Sequence, residues 1–334
     1  MQRIDYWAAV RAQPTTVATT TSAAREALEW ADLPTWPVAG PAAVVAMGAS
    51  TYAAEMLVEA ARCSGRLLVN WPASQFSAGT LMPQACVIGI SESGRSPETI
   101  EALRTVPGGR IVTTNVPGSP VTEVADVVVP WGGVADAGVY ITGYTSSLVA
   151  LAHIGAALGL GDLTEGLDSL PEVLETWLPQ VDAVVGELLA HHFPEAAPAG
   201  VDSVGAGAAV AAAAEAHLLL REAARTRSAF FVTDQYLHGP AESLTTDQLL
   251  LVHGDGRGRE LAERAVSLGI PLLHVAEEPL GDHAVALPSG LGVAARAVLE
   301  VVVGQTLAGR LGDRGGHEIG TFQHEFSGTK LPQM

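Results

Sequence analysis

The stretch Val87-Ile-Gly-Ile-Ser91-Glu92-Ser93-Gly94-Arg95-Ser96-Pro97-Glu98-Thr99 decides the fold. Its first four residues are an apolar run of the length of a buried parallel strand. Small hydroxyl residues and one glycine then interrupt it. Pro97 suits the first position of a helix with Ser96 as its N-cap, because proline lacks the N–H that would be unpaired there. Ile100, Leu103 and Val106 follow at helical spacing. Strand, hydroxyl-rich turn and helix in this order aim free backbone N–H groups and a positive dipole end at one point. Ser91, Ser93 and Ser96 add three hydroxyl donors, so the turn is a candidate for holding a phosphate monoester. A capped helix with incidental serines is the plainer reading of the same residues.

The pattern repeats outward from this stretch. Val44-Val-Ala-Met-Gly48-Ala49-Ser50-Thr51 reads as strand, Gly/Ser turn and helix start. Leu67–Asn70, Ile111–Asn115 and Val127–Pro130 complete five strands, and a helix is expected over about 144–158. Strands alternating with helices predict an α/β fold with a doubly wound parallel sheet. Ligands of such sheets lie at the carboxyl ends of strands near the switch in strand order, where the turns at 48–51 and 91–96 belong. After residue 200 the pattern restarts, with strands expected at Val201–Val204, Leu249–Val252 and Pro271–Val275. Superposing Gly94-Arg95 on Gly256-Arg257 lays Leu249–Val252 over Val87–Ile90, which predicts two tandem copies of one domain. The second copy has His253, Gly254 and Asp255 where the first has Ser91, Glu92 and Ser93. An aspartate there repels a phosphate, so one site per chain is expected, in the first half. The expected organisation is a helical arm at 1–34, a first domain at 35–165, a connector at 166–199 and a second domain with its tail at 200–334.

Bulk composition narrows the partners. A chain of 334 residues with 48% apolar residues supports two packed cores. The net charge of −18 argues against nucleic acid and anionic membranes. No apolar run of membrane-spanning length and no signal-peptide pattern is read, so a cytoplasmic protein is expected. Cys63 and Cys86 lack metal-type spacing, and no metal or cofactor is expected. Lys330 is the only lysine among 18 basic residues; amine chemistry cannot be transferred to arginine.

Four pieces resemble the double sugar-isomerase (SIS) family, which includes the isomerase half of glucosamine-6-phosphate synthase and stand-alone amino-sugar-phosphate deaminases and isomerases. They are Met47-Gly-Ala-Ser50; Ser91-Glu-Ser-Gly-Arg-Ser96; Thr114-Asn-Val-Pro-Gly-Ser119 with Glu123-Val-Ala-Asp126; and Leu237-His238-Gly-Pro240. The resemblance covers nearly the whole chain, including Ala12-Gln13-Pro14. It implies two SIS-type domains, each with a five-stranded parallel sheet, and a phosphosugar held by Ser50, Ser91, Ser93 and Ser96. It implies that Glu222, 16 residues before His238, shuttles a proton between C1 and C2. His238, reaching in from a neighbouring subunit, helps open the ring, so a homodimer with shared sites is implied. These roles suit a carboxylate general base and a group titrating near neutrality.

The sequence also departs from the family. Glu92 stands where glutamine is usual, and a carboxylate beside a phosphate is unfavourable unless Arg95 offsets it or the side chain turns away. Val139 falls in a substrate-lining segment, Gly138–Thr142, in which Tyr140 and Ile141 replace small residues. The family's lysine falls near Gly328, two positions from Lys330. With no glutaminase segment read, glutamine-dependent amination is not expected. Aldose–ketose isomerisation and deamination of an amino-sugar phosphate remain open. So does a non-catalytic phosphosugar-binding role, although no helix-turn-helix segment supports a regulator.

Overall fold

The computed structural model describes residues 2–36, 41–76, 86–324 and 328–332. Among these, β1 (Ala42–Ala46), β2 (Leu68–Pro72), β3 (Val87–Ile90), β4 (Arg110–Thr114) and β5 (Val127–Pro130) form a parallel sheet in the order β2-β1-β3-β4-β5. A second parallel sheet has β6 (Val201–Gly205), β7 (Ser228–Val232), β8 (Leu249–His253), β9 (Leu272–Ala276) and β10 (Ala284–Ala286) in the order β10-β9-β8-β6-β7. Counted within each half, both orders are second-first-third-fourth-fifth. The switch points therefore fall beside β1/β3 and β6/β8. Both sheets are α/β as expected. The expected superposition is also met: β8 takes the place of β3, and Gly94 and Gly256 share positive φ values of 64° and 59°. Two strands gave little sequence signal. β7, Ser-Ala-Phe-Phe-Val, is a half-exposed edge without alternation, and β10 has only three residues.

The helices in chain order are α1 (Tyr6–Arg11), α2 (Gln13–Glu29), α3 (Ala49–Cys63), α4 (Pro97–Arg104), α5 (Thr142–Ala157), α6 (Leu170–His192), α7 (Val210–Glu222), α8 (Thr233–Leu237), α9 (Arg257–Ser267) and α10 (Val293–Arg314). One apolar core includes residues from the inner faces of both sheets, such as Ile88, Ile111, Leu251 and Leu273, together with α3, α5, α7 and α10. Each outer face has its own smaller core, one under α4 and one under α9. The Ala-rich sequence of α7 has a packing reason. It is buried against neighbours on several sides, and small side chains let those helices approach. A Cβ at Gly304 of α10 would already crowd Ala216 of α7.

The N-terminal arm is laid against the body of its own chain. Tyr6 donates its hydroxyl hydrogen to the Gln305 carbonyl (2.6 Å), and Gln13 donates to the Gln305 side-chain oxygen (2.6 Å). The Gln305 amide in turn donates to the Ile141 carbonyl (3.1 Å), joining α2, α10 and the start of α5. Gln13 and Gln305 are fully buried, so breaking this chain of bonds leaves polar groups without water. Gln305→Leu is expected to cost about 1–3 kcal/mol. The check is the urea midpoint at unchanged slope; an unchanged midpoint would remove the arm's anchor from the stability of the fold.

Candidate active site

The turn after β3 is built as a cradle. Gly94 needs its left-handed backbone, and a Cβ there would overlap the Ser119 hydroxyl. The Glu92 carbonyl accepts from the Asn115 N–H (3.1 Å) and from the Thr114 hydroxyl (3.1 Å), while the Val121 N–H donates to the Gly94 carbonyl (3.0 Å). The Thr114–Ser119 motif is thus the clamp that shapes the serine turn. Ser96 caps α4 by position but makes no side-chain cap bond. Its hydroxyl instead lies 3.1 Å from that of buried Ser91. Ser93 is half-buried on the same turn. The first N–H groups of α4 have no partners within the helix. Hydroxyls and N–H groups therefore converge as an anion site requires.

Ser50, on the first turn of α3, faces the same edge. Its hydroxyl is 3.5 Å from that of Tyr140. Tyr140 lies 90° to Tyr144 with ring centroids 5.9 Å apart, and burial raises its phenol far above the usual range. A neutral aromatic wall thus replaces a small one. Val139 packs its side chain in the core, leaving its backbone as the part able to face a ligand.

Of the two sequence alternatives for Glu92, the structure has the second, a side chain turned away. Arg95 does not offset it: the Arg95 guanidinium donates to the Leu331 carbonyl (Nε, 2.7 Å), and the Leu331 N–H donates back to the Arg95 carbonyl (2.9 Å). Glu92 turns instead towards the start of α5, with Oε1 out of contact with water. There it meets Asp136, a residue the sequence reading missed. Asp136 accepts N–H groups from Ala137 (2.8 Å), Ile141 (3.1 Å), Thr142 (3.0 Å) and Gly143 (2.9 Å) and so ties down the first turn of α5. An acidic residue shortly before a helix was the available signal. Burial, and next the Asp136 charge, push the Glu92 carboxyl up to about 8, with Lys330 pulling the other way. Glu92 therefore favours its protonated form at neutral pH, and a neutral carboxyl has the shape of a glutamine amide with one donor hydrogen in place of two.

Clasping Leu331 to Arg95 sets Lys330 beside the site. After α10 the chain returns across the first domain, with Gly320 tight against Gly138 and the Thr321 carbonyl accepting from Arg225. The Lys330 charge acts on both Glu92 and Glu222. Glu222 ends α7, which lies antiparallel to α3: Gly207, before α7, is near Glu59, and Tyr52 at the start of α3 stacks edgewise on Phe230. Burial pushes the Glu222 carboxyl up to about 7. Glu215, two turns earlier, is fully buried with both oxygens unpartnered; burial and then Glu222 raise its carboxyl. Tyr52 feels both carboxyls. His238 stands apart, exposed on the turn after α8, with no side-chain hydrogen bond among the described residues.

The corresponding edge of the second sheet is filled by the protein itself. Arg296 pairs with Asp255 (3.2 Å), Glu277 (3.4 Å) and buried Glu300 (3.0 Å). His253, in the place of Ser91, is buried, unpartnered and pushed down to about 3 by burial, so it is neutral. This edge offers no hydroxyl cluster to an anion.

Fold and site together define an α/β protein of two tandem parallel-sheet domains with one candidate anion site. No family model matches the chain. A stretch of 151 residues, 42% of this chain, is 30% identical to the glutamine–fructose-6-phosphate aminotransferase (isomerizing) of Methanocaldococcus jannaschii. That match spans 14% of the relative's length. In structure, the chain is similar to the glucosamine-6-phosphate deaminase of Thermotoga maritima (TM-score 0.79, 16% identity, 96% of this chain and 97% of that one). It is similar also to the C-terminal domain of the glucosamine–fructose-6-phosphate aminotransferase of Francisella tularensis (TM-score 0.74, 19% identity, 94% and 97%).

The protonated Glu92 has a measurable consequence. Between the ordinary carboxylate range and about 8 the folded chain keeps a proton that the unfolded chain has lost. The Glu92 contribution to stability therefore falls as pH rises through that window. Glu92→Gln removes the titration, so its melting temperature should gain on wild type from pH 5 to pH 8. A pH-independent difference between the two would place the proton elsewhere.

Proposed function

We propose that the chain is a phosphosugar aldose–ketose isomerase acting on a 6-phosphosugar or amino-sugar phosphate. The observation that carries this reading is the meeting of three parts from distant segments. The serine turn, the end of α7 with a carboxyl poised near 7, and the docked tail with Lys330 converge at one sheet edge. The turn anchors the phosphate through Ser91, Ser93 and Ser96, with Ser50 contributing from α3. Glu222 in its ionised form takes the proton from C2 of the open-chain aldose and returns it to C1. The hydroxyl proton moves from O2 to O1, so the product is the ketose and no atom is lost. Lys330 supplies positive charge for the enediolate, and its nearness favours the ionised, base-competent form of Glu222. Neutral Glu92 adds no repulsion against the phosphate. Release of ammonia from a 2-amino-sugar phosphate uses the same proton transfer, after which water adds to the resulting C2 imine and ammonia leaves, so an ammonia assay separates the two reactions.

Glu222→Gln is expected to lower turnover about 10²- to 10⁴-fold, the usual weight of a positioned general base. Phosphosugar affinity should stay close to wild type, whereas Ser91→Ala with Ser96→Ala should lose it. The readout is solvent-deuterium exchange into C1 or C2 of 6-phosphosugars, followed by NMR. Wild-type exchange in Glu222→Gln would remove that residue from the mechanism. Binding without exchange in wild type would favour the binding-protein reading.

His238 is exposed and makes no side-chain hydrogen bond among the described residues, which fits a role in a neighbour's site within a homodimer. Mixing inactive Glu222→Gln chains with inactive His238→Ala chains should then regenerate activity. No recovery in a verified mixed dimer would confine each site to one chain.

A further inference from the structure

A second cluster of chemistry-bearing side chains lies away from the sheet edge. His191 and His192 end α6, and His283 lies in the loop between β9 and β10. Their rings form a triangle, with centroids 4.6 Å apart for His191–His192, 5.5 Å for His191–His283 and 5.6 Å for His192–His283. One ring nitrogen from each lies within 4.8 Å of the others. Three of the chain's ten histidines meet here. None of the three rings has a hydrogen-bond partner among the described residues, so no internal polar contact accounts for the grouping.

We propose that His191, His192 and His283 form a binding site for one Zn²⁺ ion, which staples the end of α6 to the second domain. Three imidazoles and no thiolate suit zinc, with water or a carboxylate in the fourth position. Zinc–nitrogen bonds of about 2.0–2.1 Å in tetrahedral geometry require nitrogens about 3.3 Å apart. The side chains therefore have to close by torsion. Exposed His191 and His192 can do this without disturbing a core. Asp282, next to His283, adds negative charge at the cluster. Arg314 already donates to the Leu189 and Phe193 carbonyls at the end of α6, so the ion is held by imidazoles and not by the helix terminus. The net charge of −18 favours cations over the whole surface.

The experiment uses full-length, tag-free protein stripped with chelator. Zn²⁺ is titrated by calorimetry, and Co²⁺ by its visible spectrum. The expected result is one equivalent bound, an intense tetrahedral cobalt spectrum and a higher melting temperature with Zn²⁺. His283→Ala and His192→Ala should each weaken binding by an order of magnitude or more, whereas His238→Ala, an exposed histidine elsewhere, should not. Circular dichroism on each variant separates loss of the site from loss of the fold. No stoichiometric binding, or equal binding by His283→Ala and wild type, would overturn the proposal.

Discussion

The close antiparallel packing of α3 and α7 is the constraint from which the arrangement of the site follows. Each helix leaves the first strand of its own sheet, and each runs from the carboxyl edge of that sheet to the opposite edge. Laid antiparallel, the start of one meets the end of the other. Glu222, the last residue of a second-domain helix, therefore faces the serine-bearing edge of the first domain. This approach depends on small residues: Ala211, Ala212 and Ala216 are all in the shared core. A bulkier helix would hold the two sheets apart and withdraw the carboxyl from the phosphate turn.

The pair of domains is alike in topology and unlike in chemistry. Both sheets have the same strand order, and the turn after each third strand holds a glycine with positive φ, Gly94 and Gly256. At one edge, hydroxyls are left free to meet an anion. At the other, Arg296 is satisfied by three carboxylates of its own chain. The difference rests on a few side chains in the two turns, because the backbone scaffold is the same.

Three buried or half-buried carboxyls, Glu92, Asp136 and Glu215, lie near the proposed catalytic group. Desolvation raises all three, as it does Glu222. Their differences come from what each faces. Asp136 is surrounded by backbone N–H groups, which favour its ionised form. Glu215 has no partner among the described residues, and burial raises its carboxyl. Glu222 lies near a lysine and remains poised to gain or lose a proton, as a base that must take and return one requires.

The sequence determined the repeated strand–turn–helix units, the serine turn and the pairing of β3 with β8 in the two halves. These are local: hydrophobic runs, glycines needed for turns and hydroxyls next to a proline-started helix can all be read along the chain. The 16-residue interval between Glu222 and His238 was also legible, but their surroundings were not. Glu222 turns into the first domain, while His238 remains on an exposed turn. Tertiary structure alone decided where Lys330 lies, because its position depends on Leu331 clasping Arg95 across 236 residues of chain. The same holds for the raised Glu92 carboxyl, which depends first on burial and then on Asp136 folded against it. Side-chain ionisation and tail docking depend on neighbours distant in sequence, and no local pattern records them.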